Sequence, residues 1–143
     1  MRLLIHNSSG SFDLTEYPAG STIPRYAILS HRWGPEEVTY EDLKHGTGVR
    51  KSGYYKIRFC AEQARRDGLR HPWVDTCCIN KSSDAEVTRS INSMFSWYRN
   101  IARCYAYLED ISYVANPGMI QQSRPAWHAL FQSSLWFTRG WTL

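Results

Sequence analysis

Six polar groups able to do chemistry fall within a few residues of one another: Asp75, Asn80, Ser82, Ser83, Asp84 and Glu86. Apolar stretches flank them, Trp73-Val74 and Thr76–Ile79 on one side and a run through Val87, Ile91 and Tyr98 on the other. The group is therefore carried where one core element hands over to the next. A carboxylate in such a place can move a proton or stabilise positive charge as it develops. Glu86 is the first candidate. It also has a structural reading, because Ser83-Asp84-Ala85-Glu86 matches a capping box and an acidic first turn suits the helix dipole. The two roles are compatible, and both stand at this point.

The elements that position these residues follow from periodicity. Arg2–His6 and Phe12–Tyr17, separated by the turn-rich Asn7–Ser11, predict a small hairpin. Tyr26–Ser30 is almost wholly apolar, as in a strand covered on both faces, and Gly34-Pro35 stops it. Glu36–Lys44 fits a short helix or an extended piece, and the glycines of His45–Gly53 predict a mobile loop. In Tyr54–Arg70, Ile57, Cys60, Ala61 and Ala64 recur at helical spacing, with Gly68 placed to end the helix. Trp73–Ile79 reads as a second core strand. A second main helix follows, with Val87, Ile91, Met94, Phe95 and Tyr98 as its expected buried stripe and Trp97 as core. Cys104–Leu108 is a third strand, Ser112–Ser123 a loop and Pro125–Ser133 a helix. Leu135–Leu143 is an apolar tail, which predicts one domain over residues 1–143 cut at its C-terminal end from a longer protein. Strand, helix, strand, helix, strand is the order of a parallel α/β sheet.

In such sheets ligands sit beyond the carboxyl ends of the strands. Three strand ends then share one rim: Ser30-His31-Arg32-Trp33, Asp75–Asn80 with Glu86, and Glu109-Asp110. Arg32 has two readings, an anion-binding fork or an ion pair with Asp75 or Glu109. His31 reads as a general base or a packed histidine, and Trp33 as a stacking platform or a buried strand end. Asp75, set in an apolar run, must be paired or lie at the rim. A Cys78–His31 nucleophile pair has no spacing signal behind it.

Composition narrows the classes. The 143 residues carry a net charge of +4, and the basic residues are dispersed, so no nucleic-acid stripe is present. Four cysteines without a CxxC pair read as buried free thiols of a reducing, cytoplasmic setting. The brief apolar N-terminus predicts no signal peptide and no membrane association. The sequons at Asn7 and Asn80 carry meaning only in a secreted chain. Neither a GxGxxG, a P-loop nor paired histidine ligands occur, so no metal and no bound cofactor are expected.

The blocks also resemble a family. Tyr26–Gly34 (YAILSHRWG) is similar to the opening "Y-A-x-L-S-Y/H-x-W-G" of the fungal heterokaryon-incompatibility (HET) domain. Tyr55-Lys56-Ile57 with Trp73–Asn80 resembles its "K-I … W-x-D-x-x-C-I-D/N" block, and Ser83–Tyr98 its "S-x-E … I-x-x-M-x-x-x-Y" helix. Arg139–Leu143 resembles the start of its closing "R-x-W-T-x-Q-E". Asn80 stands where Asp is commoner, and the closing motif stops before its Gln-Glu. The resemblance implies fungal non-self recognition and programmed cell death. Through a distant likeness to TIR domains it also implies a flavodoxin-like three-layer sandwich with a central, mostly parallel sheet, beside the small N-terminal hairpin. Many TIR domains cleave NAD⁺ at the nicotinamide–ribose bond, with a glutamate at the position comparable to Glu86. On that implication Glu86 is catalytic, and Ser30, His31, Arg32, Trp33, Asp75, Asn80 and Ser83 hold the substrate. Arg32 would take the diphosphate, Trp33 would stack on a ring, and the domain would act as a homo-oligomer.

Overall fold

A computed structural model describes residues 1–7, 10–111 and 124–138. The described chain falls into two units, Met1–Leu29 with Trp33–Tyr105, and Ser30–Arg32 with Ala106–Leu143.

The first unit opens on the hairpin expected from the sequence. Strand β1 (Arg2–His6) runs antiparallel to β2 (Phe12–Glu16), with Leu4 opposite Leu14. Leu3 and Leu4 point to opposite faces of β1, and both are buried. The hairpin is thus covered on two sides, and β1 also packs against β4 (His71–Trp73).

Strand β3 (Tyr26–His31) is buried along its whole length, as its continuous apolar run requires. It pairs in parallel with β4, Tyr26 opposite His71 and Ile28 opposite Trp73. With β5 (Arg103–Tyr107) the sheet order is β4-β3-β5. The fold is mixed α/β, a small antiparallel hairpin beside a three-stranded sheet with helices.

Between β3 and β4 lie α1 (Tyr40–His45) and α2 (Tyr54–Arg66). Thr39 caps α1 in a complete capping box with Asp42. Burial alone would raise the Asp42 carboxyl, but hydrogen bonds from Lys51, Thr39 and Thr47 outweigh it and hold the group well below the carboxylate range. The predicted mobile loop His45–Gly53 is instead tightly built. It contains a 3₁₀ turn at Gly48–Arg50. A Cβ on Gly53 would come within 2.7 Å of the Glu36 carbonyl oxygen, and one on Gly48 within 2.7 Å of a Val38 methyl. These glycines serve close approach rather than freedom of the chain.

Helix α2 buries Ile57, Cys60, Ala61 and Ala64, the stripe read from spacing, and Gly68 follows its end at φ +72°. Ala64, Leu69 and Ala27 form one cluster, with Ala102 and Tyr105 against it. Small side chains let helix and sheet approach closely.

The second core strand does not extend over Trp73–Ile79. Strand β4 stops at Trp73, and Asp75–Cys78 forms a short helix, α3. Cys77 and Cys78 are therefore not on opposite faces of a strand; both are buried on one helical turn. A short apolar run does not by itself distinguish strand from buried helix. Burial drives the Cys77 thiol well above its ordinary pKa. Cys104, expected to be buried, is exposed.

Helix α4 spans Asp84–Arg99, but its buried stripe is not the expected one. Ser90 is buried, whereas Ile91 and Phe95 are 49% and 79% exposed. Val87, Met94 and Tyr98 are half-buried. The C-terminal end of α4 anchors to the sheet. The Tyr26 hydroxyl donates to the Trp97 carbonyl at 2.7 Å, and Trp97 meets Trp73 edge-on, with ring centroids 5.6 Å apart.

In the second unit, α5 (Arg124–Gln132) falls where a helix was expected, and a 3₁₀ turn covers Leu135–Thr138. The predicted loop Ser112–Ser123 and the Arg139–Leu143 motif lie outside the described residues. Among the described residues no helix is long and apolar enough to cross a membrane, and no cluster of side chains could hold a metal ion.

Candidate functional site

Glu86 stands in the first turn of α4. Ser83 caps that helix, its Oγ accepting from the Glu86 N–H at 3.4 Å. Only this half of the capping box forms. The Glu86 carboxylate reaches past Ser83, and its Oε1 accepts from the Asn80 N–H at 2.8 Å. Asn80 itself is held in a turn, its Oδ1 accepting from the Ser82 N–H at 3.0 Å and from the Ser82 hydroxyl at 2.7 Å.

The main partner of Glu86 is remote in sequence. Arg2, at the start of β1, grips the carboxylate with a two-pronged fork, Nη1 to Oε1 and Nη2 to Oε2, the latter at 3.0 Å. Both side chains are 17% exposed. The Arg2 guanidinium also lies 4.7 Å from the centre of the Tyr40 ring and 3.9 Å from Glu16. The Arg2 bond is the largest influence on the Glu86 carboxyl and lowers its pKa; burial opposes it, and the Asn80 N–H adds to the lowering. Glu86 is thus held as the carboxylate.

A cavity of about 330 Å³ opens beside this pair, within the size range of small-molecule sites. From α4 it takes Glu86, Arg89, Ser90, Ser93 and Trp97; from the hairpin region it takes Arg2, Glu16 and Tyr17. Cys78 of α3 also lines it. Arg89 acts on Glu86 through its charge, further favouring the ionised form. The cavity lining therefore includes two carboxylates (Glu16 and Glu86), two guanidinium groups, four hydroxyls (Tyr17, Ser21, Ser90 and Ser93) and an indole. Such a set suits a polar, anionic ligand carrying hydroxyl groups.

The other expected site residues fall into two groups. In the first unit, the Trp33 indole N–H donates to Asp75 at 2.9 Å, and the Lys81 ammonium sits 3.1 Å from the centre of the Trp33 ring. Asp75 opens α3 and is paired there, as an acidic residue in an apolar run must be. Trp33 is 52% exposed, so the buried reading of that residue is set aside. Neither Trp33 nor Asp75 lines the Glu86 cavity. In the second unit, Arg32 lines a smaller cavity of about 110 Å³ with Tyr107, Glu109, Asp110 and Trp136. The first and third strand ends therefore meet, as the rim argument expects. Asp110 accepts from the Leu135 N–H at 2.7 Å and from the Ser134 hydroxyl at 2.8 Å, and both bonds lower its pKa. Ser30 is buried and its carbonyl accepts from the Trp136 indole at 3.1 Å. His31 is buried at 1% exposure, which matches a packed histidine.

Sequence reasoning missed Arg2, Arg89, Ser90 and Ser93, and treated Trp97 as core alone. One signal was available: Glu86, Ser90, Ser93 and Trp97 recur at i, i+4, i+7 and i+11, a polar stripe along one helix face. No local signal marks Arg2.

Comparison with known proteins agrees with the motif blocks. The heterokaryon incompatibility protein (HET) family matches residues 26–124. The vegetative incompatibility protein HET-E-1 of Podospora anserina is 53% identical over 145 aligned residues, which cover the whole of this chain and 10% of that relative. The chain thus spans about a tenth of the length of the curated relative it matches. No solved structure matches.

Proposed function

This chain belongs to the heterokaryon incompatibility (HET) family, and on that premise we propose that it is a cell-death effector of non-self recognition that hydrolyses NAD⁺ at the nicotinamide–ribose bond. The observation that carries the proposal is Glu86. It is a carboxylate held ionised on the wall of a cavity that also offers guanidinium groups and hydroxyls.

The chemistry asks little else of the protein. The glycosidic C–N bond breaks and its electron pair leaves with nicotinamide, which departs neutral because its nitrogen was already cationic. No strong general acid is needed. The ribosyl carbon passes through an oxocarbenium-like state, and the fixed negative charge of Glu86 stabilises it. Water then adds to the sugar, and ADP-ribose and a proton are released. For this role the carboxylate must be ionised at working pH, which the Arg2 and Asn80 bonds favour. The diphosphate role expected of Arg32 passes in this reading to Arg89, which shares the Glu86 cavity.

The test is to incubate concentrated protein with NAD⁺ and follow nicotinamide release. Glu86→Gln keeps the side-chain shape and should abolish release; full activity in that variant would remove the assigned role. If wild-type protein shows no turnover even when forced to oligomerise, a non-catalytic module that signals by self-assembly or nucleotide binding replaces this reading.

A further inference from the structure

The family match begins at residue 26, yet one wall of the Glu86 cavity comes from residues before it: Arg2, Glu16 and Tyr17. We infer that Arg2 is the positioning residue of Glu86, and that the N-terminal hairpin is a wall of the ligand site rather than an appendage to it. The inference rests on the reading of Glu86 as the working carboxylate.

A carboxylate has about four acceptor positions, two on each oxygen. In Glu86, Oε1 takes Arg2 Nη1 and the Asn80 N–H, while Oε2 takes Arg2 Nη2. One position therefore remains, on Oε2, for a ligand hydroxyl. The planar fork fixes the plane of the carboxylate in a way a single-point lysine contact cannot. Arg2 is itself held by its neighbours, the Tyr40 ring at 4.7 Å and Glu16 at 3.9 Å. The charged and titratable groups that act on Glu86 come from several elements. They are the Met1 ammonium and Arg2 from the hairpin, and Arg89 from its own helix, with Cys78 of α3 lining the same cavity. Of these, Arg2 makes the direct two-bond contact. Without it the carboxylate would keep the Asn80 bond and the field of Arg89, and would lose both its orientation and much of its preference for the ionised form.

The experiment compares wild type with Arg2→Gln and Arg2→Lys by two readouts. The first is NMR titration of the Glu86 carboxyl carbon, assigned by its disappearance in Glu86→Gln. The second is nicotinamide release as a function of pH. Arg2→Gln is expected to titrate Glu86 at higher pH, to move the acid limb of the rate profile the same way, and to lower kcat by about tenfold or more. Arg2→Lys should recover part of each effect, and if Arg2→Gln does not fold, Arg2→Lys against wild type carries the comparison. An unchanged Glu86 titration overturns the inference. So does a shifted titration with the rate and its pH profile unchanged, because the pair would then be structural only. Wild-type protein without any nicotinamide release overturns the NAD⁺ reading, while the titration still decides whether Arg2 governs Glu86.

Discussion

Helices α2 and α4 are both amphipathic by sequence, and they do different work. Helix α2 turns a stripe of small and aliphatic side chains into the core, and its one inward charge, Lys56, is 3% exposed and bonded to Glu37 at 2.6 Å. Helix α4 is longer, yet Ser90 is its only buried residue. Its inward face carries Glu86, Ser90, Ser93 and Trp97 along a cavity, while Ile91 and Phe95 point to solvent. A helix that holds the fold together has an apolar inner face. A helix that lines a site has a polar one, and the apolar pattern alone then identifies the wrong side.

The contrast can be broken at four places. The largest effect is expected from Glu37→Ala, which takes the carboxylate away from a buried ammonium and from the Gly34 N–H that it accepts at 2.6 Å. It should cost about 3–5 kcal/mol in urea unfolding. Ile57→Ala on α2 should cost about 2–4 kcal/mol by the same measurement. Glu86→Gln on α4 should cost only about 1–3 kcal/mol at neutral pH, the worth of a hydrogen-bonded charge. Because the folded pKa of Glu86 is lowered, its contribution is complete above the ordinary value of 4.5 and fades as pH falls through the folded value. The stability gap between wild type and Glu86→Gln should therefore close in acid, as followed by urea midpoints at a series of pH values. The smallest effect belongs to Phe95→Ala, expected within about 0.5 kcal/mol of wild type. A loss as large as that of Ile57→Ala would erase the distinction between the two helices.

Much of the scaffold was legible because it obeys local rules. The unbroken apolar run of β3, the i, i+3, i+4, i+7 stripe of α2 and the turn-rich break between β1 and β2 each state their own structure. Trp73–Ile79 did not, because seven mostly apolar residues satisfy a strand and a buried turn of helix equally well. Asp75 marked the actual break, being easier to place in the first turn of α3 than within a sheet. The site was half legible. Glu86 and its Ser83 cap lie within one helical turn of each other. Arg2 lies 84 residues away, where neither periodicity nor a motif connects it to Glu86. Arg32 does meet Glu109 and Asp110 at the ends of their strands, but the cavity with Glu86 draws its wall from the hairpin instead.

That separation has a consequence for synthesis. At about 5–20 residues per second, Arg2 is added to the chain roughly 4–17 seconds before Glu86. The hairpin needs no later residues for its own pairing, since β1 and β2 are neighbours in sequence. Its guanidinium must then wait, solvated, for the helix that supplies its partner. The cavity is thus among the last features of the first unit to be assembled. A nascent chain halted before α4 would display the hairpin without the carboxylate, and the cavity would not exist until that helix docks.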